Sequence, residues 1–326
     1  MIPLQTASPH PVTHIVFSPD GSAVAVAQPH HGVTLIERAT GRTLAVCAMP
    51  RRGALTGLTF SGNGKFLAAA SPKGLEVFEA ATGAPVFQNF HGPQKFHLAV
   101  RGDVVLGCPP RSYTALRPMV KATDTITGPD STKAILYRGA LTFVTCAPDG
   151  SHVLSAGRNR LVLLNVASDR TVAEIDRTAT DDPRNKVVAQ FCPLGRRFAV
   201  SHGSGIDVYD PTGLGDDGAD PPGADDAPVE VAPMPHTLLA PVFTLRSDRP
   251  GGENEWHPPF ALLADGRGLL VKRVRNRVQL WDAPTGTLVS EWSWRFEGVT
   301  CVAVSADGLT AVAGGRFGRV LLWDLE

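Results

Sequence analysis

The side chains best suited to recognition in this sequence are arginines that recur in pairs: Arg158 and Arg160, Arg275 and Arg277, Arg316 and Arg319. A guanidinium is a planar fork of donors that matches the oxygens of a carboxylate or phosphate, so paired arginines suit an acidic or phosphorylated ligand. Other polar clusters offer less. His30 and His31 are neighbours in a turn-like stretch, and no third ligand follows at a metal-binding spacing. Asp216, Asp217, Asp220, Asp225 and Asp226 crowd into GLGDDGADPPGADDAP. A calcium loop places its oxygens at alternate positions and ends on a bidentate acid; this run does neither and reads as a solvated loop.

Catalysis needs an acid, base, nucleophile or metal ligand brought to one point. The sequence has no GxSxG elbow, no HExxH pair and no Walker-type glycine loop. Its five cysteines, Cys47, Cys108, Cys146, Cys192 and Cys301, are odd in number, widely spaced and without a CxxC pair. Neither a disulfide framework nor a zinc site follows. Four of them lie in apolar runs (LAVCAM, VVLGCP, FVTCAP, VTCVAV), where a reduced thiol acts as a small hydrophobe. The expectation is a chain with no catalytic residues, no metal and no cofactor.

Composition bounds the class. A chain of 326 residues, 43% hydrophobic and 19% charged, can bury a large core and lies outside the range of disorder. Its 31 basic and 31 acidic side chains cancel, so no overall field would draw it to nucleic acid or an anionic membrane. No apolar run is long enough to cross a bilayer, and Met1 to His10 lacks the basic start and apolar stretch of a secretory signal. A cytoplasmic location is the resulting expectation.

What must position the arginines is a repeat. VTHIVFSPDGSAVAVAQPHHGVTLIERATG (Val12 to Gly41) and LTGLTFSGNGKFLAAASPKGLEVFEAATG (Leu55 to Gly83) are one pattern written twice. Each holds an alternating apolar strand, a turn with glycine, a small-residue strand, a polar turn and a third strand that runs into ATG. The pattern returns at Leu141 to Asp169, Lys186 to Gly213, Phe260 to Gly286 and Val299 to Glu326. The first-turn glycines Gly21, Gly64, Gly150, Gly195, Gly266 and Gly308 are spaced by 43, 86, 45, 71 and 42 residues. A unit of about 43 residues leaves room for one diverged copy between Phe90 and Gly139, with KFHLAV and DVVLGC as its faint strands. The long step near the end leaves about 28 surplus residues, placed as insertions at 214–228 and 246–259.

This pattern resembles the WD40 repeat family. The likeness rests on Trp281-Asp282 and Trp323-Asp324, on the SPDG, APDG and SADG turns, and on the Thr-Gly signals after third strands. It implies an all-β, seven-bladed β-propeller over residues 1–326 as a single domain, with blades of four antiparallel strands. The final copy stops at its third strand, so an N-terminal strand from Ile2 to Ala7 is expected to close the ring and cover an otherwise open edge. Trp281 and Trp323 are expected at equivalent places on third strands, where the other copies carry Ile36, Phe78, Leu164 and Tyr209. The second turns (QPHHG, SPKG, GRNR, HGSG, VRNR, GRFG) lack the aspartate that many family members bond to the tryptophan. Apolar packing is therefore expected to hold the blades together.

Blade geometry would gather the second turns, and with them all six arginines, on one face. The loops that lead into inner strands share that face and would add Arg51, Arg52, Lys95, Arg138, Arg184, Lys186 and Arg295, offset in part by Asp181, Asp182 and Glu297. By likeness to the family, the chain is expected to be a non-catalytic scaffold that binds other proteins or peptides, acidic or phosphorylated segments among them. The alternative is a propeller enzyme of lactonase or hydrolase type with its site at the central channel. Acids and histidines would have to line the approaches to several inner strands, and mainly bases stand there. Binding to a membrane is not expected, and neutral charge with few interleaved aromatics argues against nucleic acid.

Overall fold

The computed structural model describes residues 2–4, 6, 8–49, 55–71, 74–89, 97–101, 104–108, 114–120, 135–137, 143–148, 151–156, 160–165, 170–176, 188–202, 205–212, 237–246, 259–273, 276–294 and 298–325. Each repeat folds into an antiparallel sheet whose strands follow one another from an inner position outward. Sheet A contains His14–Phe17, Ala23–Gln28, Gly32–Glu37 and Thr43–Cys47, and sheet B contains Gly57–Phe60, Phe66–Ser71, Gly74–Glu79 and Pro85–Asn89. Sheet C, in the diverged region, contains His97–Arg101, Val104–Cys108, Thr114–Val120 and Ile135–Tyr137. Sheet D is built from Phe143–Cys146, His152–Ala156, Arg160–Asn165 and Arg170–Asp176, and sheet E from Val188–Phe191, Phe198–His202, Gly205–Tyr209 and Phe243–Arg246. Sheet F comprises Phe260–Leu262, Gly268–Lys272, Arg277–Asp282 and Thr287–Ser293. In sheet G, Val299–Val304, Thr310–Gly315 and Val320–Asp324 are joined by Ile2–Leu4.

The inner strands lie side by side in chain order, and Val299–Val304 returns to His14–Phe17, so the sheets close a ring. This is a β-propeller. The expected latch is present: Ile2 pairs with Leu322, Pro3 with Leu321 and Leu4 with Val320. The strand covers a shorter stretch than Ile2 to Ala7, and beyond it Thr6 and Ser8 contribute hydrogen bonds.

The tryptophan register also holds. Trp281 lies opposite Leu269 and Trp323 opposite Ala311, each pair one step in from the Gly268–Asp282 and Thr310–Asp324 ends. Ile36, Phe78, Leu164 and Tyr209 occupy the same place in their own sheets. Ile36, Phe78, Tyr209 and Trp323 are buried there, each contributing on the order of 1.5–3 kcal/mol by leaving water. Beside this position the outer strand carries one extra residue in four sheets, a β-bulge that skips Leu44, Val86, Val172 or Val289.

Two features set neighbouring sheets against each other. The first-turn glycines face the preceding sheet: Gly21 lies beside Ser305, Gly64 beside Pro19, Gly266 beside Arg197 and Gly308 beside Ala264. The Thr-Gly turns do the same further out, Gly41 against Leu4, Gly83 against the Val46 backbone and Gly286 against Phe243. Both sequence signals are thus inter-blade contacts as well as turns.

Sheet D departs from four strands. Thr237–Leu238 adds to its outer edge in parallel, Ala173 facing Thr237 and Glu174 facing Leu238. The cause is the insertion between the third and outer strands of sheet E. Chain returning from it crosses the edge of sheet D before forming Phe243–Arg246. The inserted stretch at 214–228 and residues 247–258 of the second insertion lie outside the described residues.

Candidate protein-binding face

The two ends of the ring differ in charge, and strand register assigns each residue to an end. One end holds the first turns and the third-to-outer turns. Asp20, Asp265 and Asp307 are in first turns, while Glu37, Glu79, Asp210, Asp282 and Asp324 end or follow third strands. These acids act locally. Asp20 accepts from Ser18 Oγ and from the Ser22 N–H at 3.0 Å; Asp307 accepts from Ser305 Oγ and from the Leu309 N–H at 3.0 Å. The serine bonds, followed by the backbone donors, hold both carboxyls below the usual aspartate range. Asn63 performs the same role for Ser61 and Lys65. In the other turns Thr82 donates to Glu79 at 2.6 Å and Thr285 to Asp282 at 2.5 Å, which gives the Thr-Gly signal its second purpose. Basic partners are interspersed: Arg197 Nε lies 2.8 Å from Asp210, and Arg38 reaches across to Asp307 at 3.7 Å.

The opposite end holds the second-to-third-strand turns. Arg316 and Arg319 flank the turn of sheet G and are exposed. The Arg316 N–H donates to the Gly298 carbonyl at 3.1 Å, and its side chain passes so close to Gly298 that an added methyl would sit 2.7 Å from Cδ. Its guanidinium is thereby directed from a fixed base. Beside it, in sheets E and F, stand Arg246, Lys272 and Arg273, with Arg273 donating to the Arg246 carbonyl at 3.0 Å. The sequence reading did not select these three. Register could have found them, because Gly205 opposite Arg246 and Lys272 opposite Val278 fix both at this end.

Arg160 and Arg277 are corrected in one respect. Neither is a turn residue; each is the first residue of a third strand. Arg277 therefore points along the sheet, with Nη1 3.4 Å from Glu291 on the adjacent outer strand. The amide of Gln279 donates to Glu291 at 2.5 Å, and this bond, followed by the charge of Arg277, keeps the carboxyl below its ordinary value. Arg277 is thus partly neutralised rather than free for a ligand. Arg160 lies opposite Asp176. Arg158 and Arg275 fall outside the described residues, as do Arg51, Arg52, Lys95, Arg138, Arg184, Lys186, Arg295, Asp181, Asp182 and Glu297.

The absence of a second-turn aspartate has a visible consequence. Trp323 Nε1 is buried without a hydrogen-bond partner among the described residues, and the indole is held by Trp292 and Trp294 at ring-centroid distances of 5.8 and 4.6 Å. Trp281 Nε1 instead donates to Gln279 on its own strand at 3.1 Å. Polar bonds do span blades, but they sit in the turns. Burial pushes the Cys47 and Cys301 thiols up to about 12, which removes them as nucleophiles at neutral pH. His10, His30 and His31 do gather, with His10 4.9 Å from His31 and 6.3 Å from His30 between ring centroids. Among the described residues no group of three His, Cys, Asp or Glu is placed to hold a metal.

No protein-family model matches the chain. Over 70 residues, 21% of this chain, it is 31% identical to Protein ROOT INITIATION DEFECTIVE 3 of Arabidopsis thaliana; the match spans 16% of that protein's length. The whole chain superposes on the β-propeller domain of Cps50 (Swd1) from Myceliophteria thermophila with a TM-score of 0.73, covering 100% of both chains at 13% identity. With the repeat, the ring of sheets and the tryptophan register, the structural likeness shows that the chain folds as a β-propeller.

Proposed function

We propose that the chain is a non-catalytic scaffold: one seven-bladed ring over residues 1–326, sheets A to G each serving as a blade, that binds other proteins through the end bearing the second-to-third-strand turns. The observation that carries this reading is the segregation of charge. Arg246, Lys272, Arg273, Arg316 and Arg319 share one end; the described acids in the strand positions nearest it are Glu76, Glu174, Asp176, Asp207 and Glu291, of which Asp207 and Glu291 already accept hydrogen bonds from Thr244 and Gln279. A ring neutral in total can still attract an acidic or phosphorylated segment to such an end, because exposed charges act within about 10 Å at 0.1 M salt. A cytoplasmic location belongs to the same proposal; free, buried Cys47 and Cys192 suit a reducing compartment. Affinity capture from the native cell over a salt gradient, with quantitative mass spectrometry, tests the reading. Specific partners that dissociate as salt rises are expected, and a chain that retains no protein above background would overturn it.

A further inference from the structure

The latch and the last turn enclose a groove that the ring architecture does not need. It has a volume of about 540 Å³, with one wall from Pro3, Leu4, Thr6, Ser8 and Pro9 and the other from residues 317 to 321. Its apolar lining includes Pro3, Leu4, Pro9, Phe317 and Leu321, and Arg319 is the single charged residue among the side chains that line it. Phe317 is 58% exposed, the most exposed phenylalanine among the described residues and the opposite of the burial that phenylalanines meet elsewhere in the ring. An exposed aromatic at a groove mouth, beside a guanidinium group, has the composition of an interaction hot spot.

The presentation of this knuckle is built in. Gly318 adopts φ 70° and lies beneath the latch, where a methyl group would come within 2.0 Å of the Ser8 carbonyl oxygen. Thr6 Oγ1 donates to the Gly318 carbonyl at 2.6 Å, and Gln28 Nε2 donates to the Ser8 and His10 carbonyls at 2.8 Å each. The turn is thus clamped from below while Phe317 faces outward.

We infer that this groove is a docking site for an acidic peptide segment carrying one apolar side chain, the apolar group packing on Phe317 and a flanking carboxylate meeting Arg319. This rests on the scaffold reading above and specifies its partner. Charge complementarity selects the occupant: among its described lining residues the groove holds apolar surface and positive charge and no carboxylate. Because its walls come from opposite ends of the chain, a bound peptide also bridges the latch. Binding therefore raises the melting temperature by mass action.

The test uses the full chain and a short fluorescein-labelled peptide library in which glutamates flank a single central leucine or phenylalanine. Binding that weakens with salt is expected by fluorescence anisotropy, together with a rise in Tm. Phe317→Ser and Arg319→Glu should each weaken it roughly tenfold, whereas Leu194→Ser, on the opposite end, should not. Circular dichroism and melting curves establish that the variants fold. If the peptides bind but are indifferent to Phe317→Ser and Arg319→Glu, and are lost from Arg246→Glu with Arg273→Glu, the groove is wrong and the basic end stands. If no library member binds wild type while captured cellular partners do, the acidic-peptide assignment falls and the scaffold survives. If neither binds, both fall.

Discussion

Thr6 donates a 2.6 Å hydrogen bond to the carbonyl of Gly318, which lies 312 positions further along the chain. That bond ties the segment after the closing strand to the turn that bears Arg316 and Phe317, so ring closure and the geometry of the candidate face share one residue. Gly318→Ala would force a methyl group to within 2.0 Å of the Ser8 oxygen at a φ of 70°. A loss of about 2–4 kcal/mol is expected, seen as a drop of several degrees in Tm. An unchanged Tm would mean the segment does not lie over the turn.

Removal of residues 1–7 should cost on the order of 1–3 kcal/mol, because it uncovers the edge of Val320–Asp324 and withdraws the buried Leu4. In the Gly318→Ala background the same deletion should cost less, since both changes disrupt one contact. Fully additive losses in urea or thermal unfolding would separate the two.

The Thr-Gly glycines should differ in a defined order. Gly41 and Gly83 share φ 72°, so alanine carries the same backbone cost at each. At Gly83 the new methyl would meet the Val46 carbonyl at 2.7 Å, whereas at Gly41 it would meet the end of the Leu4 side chain at 3.4 Å. Gly83→Ala should therefore destabilise by about 1 kcal/mol or more beyond Gly41→Ala. The reverse order in denaturant titrations would contradict the packing of sheet B on sheet A.

These contacts explain which parts of the fold were legible. The first-turn and Thr-Gly signals are local hydrogen-bonded turns, so each sequence copy announces itself, and the tryptophan position follows from alternation within a strand. The bulge at Leu44, Val86, Val172 and Val289 was not legible, because one extra apolar residue leaves the run looking like an ordinary strand. Thr237–Leu238 could not be foreseen, since its partner is a different repeat. At the candidate face, Arg316 and Arg319 stood out by type and spacing. Glu291, which occupies Arg277, enters only through the pairing of adjacent strands.

His14 gives the protein a pH dependence of known sign. Burial lowers its pKa from 6.5 to about 4, with Nδ1 shielded and without a hydrogen-bond partner among the described residues. The unfolded chain takes up a proton near 6.5 and the folded chain does not until about 4, so stability is full above the first value and falls toward the second. The loss should be on the order of 3 kcal/mol. His14→Leu should flatten the stability profile across that window; an unaltered slope would place the titration on another group.

On the proposed reading, the end of the ring bearing the second turns recognises a partner by charge. The direct measurement is capture of a purified partner by the variant Arg246→Glu, Arg316→Glu, Arg319→Glu, with circular dichroism and melting curves confirming its fold. All three are exposed, and exposed substitutions usually cost within about 0.5 kcal/mol each, so the ring should remain intact. The variant is expected to lose capture, and wild-type binding to decline as salt rises. Binding of the partner to the folded variant at wild-type strength would contradict it.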